Sequence, residues 1–501
     1  MKRILSALLG ISVAATMAVG LTGCDMMTAG NDKLVWYCIG EKPEDHDMVM
    51  EEVNKIVEPE LGLKLDIQYI DAAAFTEKTK LMMSSNEPYD LVFTGYVNNY
   101  QAAVQMGGLL DITDMMDNIT MKDGTKVKMS DAVEDYFIEA ALVDGRVYGI
   151  PNTQVVSNPT CLQMSKRVAE ATGFDYERLD KLGRNNNSYE TMVEYLDAFT
   201  EELAKIKAKE NTDLGYKYTM KPYNPATYAM YEEIAGGISI RKDGTSDELV
   251  IACDTPEWKY GKQTVRKWYE LGYIRNDMAS AAAMESSDSD SLYATSATTW
   301  KPGQEVYYIN QYGEEPVYSF FGEPNVWRTG PLATMISVNA RTQHPEEAVK
   351  MIYMLNSNKE LFNLIVWGIE GKHYKLNEDG TAKTLEGSGY DIASGAWRYG
   401  NQFNGYVMEG QPADVWEQTK KMNDESVKSP VLGFVPDTTE ISAEIANISA
   451  VGQEYKAYSE YGVAPFEEWY DAYRAKLTAA GIEKVRDELQ KQYDAWKAEQ
   501  N

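Results

Sequence analysis

Leu34-Val35-Trp36-Tyr37-Cys38-Ile39 is apolar on both of its alternating faces, the pattern of a strand covered on two sides rather than one lying half in water. The run stops at Gly40-Glu41-Lys42-Pro43, where glycine and proline punctuate the chain. Downstream, Val49, Val53, Ile56 and Val57 recur at helical spacing, a strand runs from Leu63 to Ile70, and a second helix extends from about Phe75 to Ser85. Asp90-Leu91-Val92-Phe93 then leads into Thr94-Gly95-Tyr96. Strand, helix, strand, helix, strand predicts parallel strands with helices on their faces. Ligands of such sheets sit beyond the carboxyl ends of the strands, so Gly40-Glu41 and Gly95-Tyr96 are expected at a cleft.

Further on, Arg146-Val147-Tyr148-Gly149-Ile150-Pro151-Asn152 reads as a short strand that turns sharply at the proline, as a chain crossing between lobes would. Ser188 is placed to cap a helix beginning at Tyr189. Pro345 at a first helical position, followed by Glu346 and Glu347, opens a helix with Ala348, Met351, Ile352 and Leu355 on one face. A further helix starts near Lys359 and stops at Gly368. At the end of the chain, Phe466, Trp469, Tyr470, Tyr473 and Leu477 form one apolar stripe, and Ile482, Val485, Leu489, Tyr493 and Trp496 a second. Stripes at helical spacing predict core.

Upstream of the first strand, Lys2 and Arg3 precede an apolar stretch from Ile4 to about Val19, which ends in Leu21-Thr22-Gly23-Cys24. This is a secretory signal whose small residues run into one cysteine. It resembles the lipobox of bacterial lipoproteins, which implies a diacylglyceryl group on the Cys24 sulfur, removal of residues 1–23 and a tether over 24–32. An ordinary secretory signal with Cys24 incidental is the alternative. Two acyl chains give a durable anchor without a spanning segment.

The formal charge of −29 repels nucleic acid and anionic lipid alike, and favours a neutral or cationic ligand or simply solubility. The remaining cysteines, Cys38, Cys161 and Cys253, are widely spaced and define no disulfide framework or metal knuckle, although one disulfide is open. Only three histidines occur, His46, His344 and His373. None stands in HExxH, no GxSxG elbow is present, and Gly371-Lys372 is followed by His373 rather than Ser or Thr, so zinc proteases, serine hydrolases and P-loop NTPases are disfavoured. Neither a metal nor a cofactor is expected. A pair of glycosidase carboxylates has no fixed sequence spacing and stays open. Tryptophan and tyrosine recur in loop contexts at Tyr96, Tyr223, Trp300, Trp327, Trp367 and Trp397. Flat aromatic faces suit the C–H faces of sugar rings, and as a group these residues favour a sugar cleft.

Together with the strand Ile336-Ser337-Val338-Asn339-Ala340, which leads into the Pro345 helix, these features resemble the extracellular solute-binding proteins of sugar ABC importers. Trp367-Gly368-Ile369-Glu370-Gly371-Lys372-His373-Tyr374, Gly400-Asn401-Gln402-Phe403, Leu432-Gly433-Phe434 and Ala479-Ala480-Gly481-Ile482 are similar to the LipO-like branch, whose C-terminal segment is a domain of unknown function (DUF3502), here 430–501. The resemblance implies an α/β, two-lobed periplasmic-binding-protein fold of type II. Each lobe would be a mainly parallel sheet flanked by helices, with a helical C-terminal extension. Lobe 1 would hold 33–152 plus 333–395, and lobe 2 would hold 153–332 plus 396–501. It further implies a lipid-anchored monomer on the outer face of the cytoplasmic membrane that delivers a carbohydrate to permease subunits. The expected ligand contacts are Glu41, Tyr96, Asn152, Tyr228, Trp300, Trp327 and Trp367. A surface glycosidase or lyase, and an adhesin without a small ligand, are the alternatives.

Overall fold

The computed structural model describes residues 32–500 apart from 86, 158, 223–229 and 281–291. Cys24 and Tyr228 lie outside the described residues. The opening stretch forms β1 (Lys33–Ile39), which buries Leu34, Trp36 and Cys38 completely on one face and half-buries Val35 and Tyr37 on the other. It pairs in parallel with β2 (Lys64–Ile70) and with β3 (Leu91–Gly95). The intervening helices are His46–Leu61, which buries Val49, Val53 and Val57, and Ala72–Ser84, whose first turn is capped by the Asp71 side chain. The chain then adds β4 (Gly149–Pro151) and leaves for a second sheet of β5 (Thr160–Ser165), β6 (Tyr218–Met220), β7 (Tyr293–Thr299) and β8 (Pro316–Phe320). It returns as β9 (Thr334–Val338). The strand orders are β2-β1-β3-β9-β4 and β6-β7-β5-β8.

In each sheet one strand runs against the others. These are β9, antiparallel to β3 and β4, and β5, antiparallel to β7 and β8. Each is the first strand after a crossing from the other sheet, and that is the physical reason for its direction. Pro151 lies at the β9 end that also holds Gly95, and Phe320 lies beside Cys161 at the start of β5. Both crossings, 152–159 and 321–333, therefore run from the carboxyl-end crest of one sheet to that of the other, and a strand entering at a crest can only run away from it. The two crests consequently face each other, with the crossings as the hinge.

The crossings are laced together. Ser157 bridges Val326 in antiparallel fashion, and Asn325-Val326 pairs in parallel with Val427-Lys428. Behind them, helix Val415–Glu425 presents Asn423, whose Oδ1 accepts from the backbone N–H of Val156 (3.0 Å) and Ser157 (3.1 Å), while its Nδ2 donates to the Gln154 carbonyl (2.8 Å).

Among the described residues three hydrophobic cores result. The first packs Trp36, Phe93, Phe362 and Tyr399 around the first sheet, and the second gathers Tyr195, Phe199 and Trp268. The third lies between a small antiparallel sheet (Tyr231–Ala235, Ile238–Arg241, Val250–Ile251) and the C-terminal helices Ser442–Tyr461, Phe466–Ala479 and Ile482–Gln500. The two terminal stripes are core as expected, with Phe466, Trp469, Leu477, Ile482, Val485, Leu489 and Tyr493 buried. Ser188 caps helix Tyr189–Lys207, Pro345 opens its helix, and Lys359–Trp367 ends at Gly368. Cys38, Cys161 and Cys253 are free and buried, so the disulfide left open by the sequence is not formed.

Candidate functional site

At the first crest, two glycines bring side chains together that the sequence keeps far apart. Gly40 has φ +130°, and a Cβ there would lie 2.2 Å from Arg398 Nη1. Glycine thus lets the guanidinium reach past β1 to donate to the Ile39 carbonyl (2.7 Å), while Arg398 Nε donates to the Gly395 carbonyl (3.0 Å). Gly95 has φ +144°, and a Cβ would lie 2.1 Å from the Ala333 carbonyl oxygen, to which Tyr96 N donates (2.8 Å). Beside these turns Glu41 is exposed and Tyr96 is 63% exposed. Tyr96 meets Trp397 edge to face at 6.0 Å, and Trp397 meets the buried Phe93 at 6.0 Å, a ladder of rings that rises from the core to the crest.

Asn152, expected to touch ligand, is 1% exposed. Its Nδ2 donates to the Trp397 carbonyl (2.9 Å), and its Oδ1 accepts from Gly400 N (3.1 Å). With both polar ends satisfied by backbone, it positions Trp397 instead. Trp367 also departs from expectation. It is 5% exposed and packs beside Tyr374 within the first core, because it sits on the buried face of the helix that ends at Gly368.

The facing crest carries Trp300 at the end of β7. Its backbone N–H donates to the Pro159 carbonyl (2.9 Å), and its Nε1 donates to Glu305 (3.2 Å). The indole meets Phe320 edge-on at 5.5 Å and lines a groove of about 570 Å³ with Arg184, Glu323 and Lys421. Trp327 belongs to the 321–333 crossing and lines a different cavity, of about 500 Å³. Close to Trp327 lies a buried charge cluster. Glu232 Oε1 accepts from Arg328 N (2.7 Å), Arg328 Nη2 donates to the Ile234 carbonyl (3.2 Å), and Lys242 Nζ lies 4.4 Å from the Trp327 ring centre. Burial pushes the Lys242 ammonium down to about 8 against the attraction of Glu232, and raises the Glu232 carboxyl above its ordinary value.

The structure thus brings Tyr96 together with Trp397 and Arg398, leaves Glu41 exposed beyond Gly40 at the neighbouring strand end, and separates Trp300 and Trp327 into two cavities. Trp397 was visible only as one loop aromatic among several. The flanking Gly395 and Gly400 were the available signal for a tight turn presenting it. Among the described residues no group of His, Cys, Asp and Glu is arranged to hold a metal ion, and no helix is long and apolar enough to cross a membrane.

A family described as a domain of unknown function (DUF3502) matches residues 430–498, the segment that forms the C-terminal helices. A carbohydrate ABC transporter substrate-binding protein of Streptococcus pneumoniae serotype 4 is 27% identical, over 95% of either chain. Among solved structures, the N-glycan transport solute binding protein NgtS of Streptococcus pneumoniae superposes with a TM-score of 0.77 at 24% identity, covering 94% of this chain and all of that one. NgtS in complex with Man5GlcNAc gives a TM-score of 0.70 over 94% of this chain. An HMO-binding, ABC-transporter-associated solute-binding protein of Bifidobacterium longum infantis gives a TM-score of 0.58 at 15% identity, with 93% and 99% of the two chains covered. The fold is that of two-lobed solute-binding proteins, and it extends over nearly the whole described chain.

Proposed function

We propose that this chain is the solute-binding component of a carbohydrate ABC importer, which captures an oligosaccharide between its two crests and passes it intact to permease subunits. One observation carries the reading. Both crossings join crest to crest, and the crest of the first lobe carries an aromatic pair, exposed Tyr96 and half-buried Trp397, with Arg398 beside Trp397 and exposed Glu41 at the neighbouring strand end. Such a surface offers ring faces for sugar C–H groups and both an acceptor and a donor for hydroxyls. Trp300 supplies an aromatic from the opposite crest. Contacts that exist on both sides only when the lobes approach shift the population toward the closed form. The likeness to carbohydrate-binding relatives over 94–95% of the chain supports the same reading, and the N-glycans bound by NgtS make mannose- and N-acetylglucosamine-containing oligosaccharides the first candidates.

In this account the first lobe joins 33–152 to 333–408, beyond the expected break at 395 because Tyr399 lies in its core with Trp397, Tyr406 and Met408 packed against it, the second joins 153–332 to the C-terminal helices, and the chain acts as a monomer held at the outer face of the cytoplasmic membrane by lipid on Cys24. No bond of the sugar is made or broken. A thermal-shift screen of the mature soluble chain against mono- and oligosaccharides, with mass analysis of the recovered sugar, tests the proposal. A sugar that stabilises the protein and is recovered uncleaved is expected. A cleaved sugar means a glycosidase, and silence across the panel removes the carbohydrate reading.

A further inference from the structure

The cavity lined by Trp327 lies off the crest of the second lobe. It is lined by Pro222, two residues beyond the carboxyl end of β6, by Trp327 in the 321–333 crossing, and by Tyr231, Trp258, Tyr461 and Tyr473. It therefore lies between the crest end of the second sheet, the small antiparallel sheet and the C-terminal helices. At about 500 Å³ it falls in the roughly 300–1,000 Å³ range of small-molecule sites.

A void left by imperfect packing is small and apolar. This one is neither. Glu233 and Glu460 reach its wall from exposed positions, and Lys262 lines it half-buried, its ammonium 5.2 Å from the Trp258 ring centre. Burial pushes Lys262 down to about 8 even though the Glu460 carboxylate acts to hold it up. The aromatic wall is ordered. Trp258 and Tyr473 stack with planes 2° apart at 6.0 Å, and the Lys242 ammonium at 4.4 Å supports the Trp327 indole. Ring faces beside two acceptors and one donor match a sugar ring. Two carboxylates against one ammonium oppose a uronate or other acidic sugar at the same place.

We infer that this cavity is an extension of the ligand site that receives the far end of a neutral oligosaccharide whose near end lies between the crests. The inference rests on the importer reading above. It also gives the C-terminal segment of unknown function a role, because Tyr461 and Tyr473 form part of the wall: the segment closes the end of the glycan site.

Calorimetric titration of the mature chain with di- and hexasaccharides of the mannose, glucose and N-acetylglucosamine series tests it. The wild type is expected to bind a hexasaccharide more tightly than the disaccharide of the same series. Trp327→Ala is expected to weaken the hexasaccharide by about tenfold or more, equivalent to roughly 1.4 kcal/mol, and to leave the disaccharide within about twofold. Glu233→Gln keeps the oxygen that accepts from Gly237 N (2.9 Å), so it guards against a folding defect in the tryptophan variant, and the same selective loss is expected. Equal losses for both lengths, no loss in either variant, or no length dependence in the wild type overturns the inference. A wild type that binds no sugar of any length overturns the importer reading itself, and the inference with it.

Discussion

Replacing Asn423 by alanine tests whether the crossings form a built hinge or merely pass near one another. The carboxamide is 1% exposed and makes three hydrogen bonds, accepting from Val156 N and Ser157 N and donating to the Gln154 carbonyl. Alanine leaves two backbone N–H groups and one carbonyl in a buried crossing without these partners. Each such loss costs about 1–3 kcal/mol, reduced where water can enter the space vacated. Alanine in a helix returns about 0.5 kcal/mol of propensity. The net expectation is a loss of about 2–4 kcal/mol, read as a lowered urea midpoint with tryptophan fluorescence as the probe. Gln418 lies on the same helix with an exposed bond to Asp414, and Gln418→Ala should stay within about 0.5 kcal/mol of wild type. If Asn423→Ala is no more costly than Gln418→Ala, the crossing segments are not held by this side chain and the hinge described above is wrong.

Tyr96→Ala, at a site 63% exposed, should change stability by less than about 0.5 kcal/mol while reducing oligosaccharide affinity about tenfold or more by titration. Unchanged affinity would take Tyr96 out of the site. The folded-state Lys262 is depressed to about 8, below the ~10.4 of a free lysine, so its charged form costs stability below pH 8 and that cost fades as the pH rises from 8 toward 10. Lys262→Met should therefore gain most over wild type near pH 7 in urea denaturation and have lost more than half of that advantage by about pH 9.5, whereas a constant difference would contradict the burial argument. Cys24→Ala should release the protein from the membrane fraction and abolish incorporation of labelled fatty acid, and continued labelling would place the lipid elsewhere.

The first lobe is legible in the sequence because its strands carry two-sided apolar patterns and its helices carry caps that the structure reproduces, as in Leu34–Ile39 and the helix opened by Pro345. The hairpin joining Tyr231–Ala235 to Ile238–Arg241 is harder to read. Its Gly236-Gly237 turn has φ of +58° and +76°, a tight hairpin signal, but Glu232 and Glu233 obscure the strand leading into it. β5 is equally obscure. Thr160, Gln163 and Ser165 dilute its pattern, and its burial comes from β7 and β8, which arrive more than 120 residues later. The site divides in the same way. Glu41 and Tyr96 follow from strand ends, whereas Trp397 reaches Tyr96 only through the fold. Trp367 and Trp397 both stand close to a glycine, and burial alone separates the core residue from the crest residue.

The most direct test of capture between the crests is the distance across them. Fluorescent labels at exposed Leu81 in the first lobe and exposed Leu271 in the second, on the mature chain whose Cys38, Cys161 and Cys253 are buried, report closure by energy transfer as oligosaccharide is added. The account predicts a saturable change in transfer that follows the binding isotherm and is lost in Tyr96→Ala at the same sugar concentration. Sugar binding with no change in the distance between the lobes would contradict it.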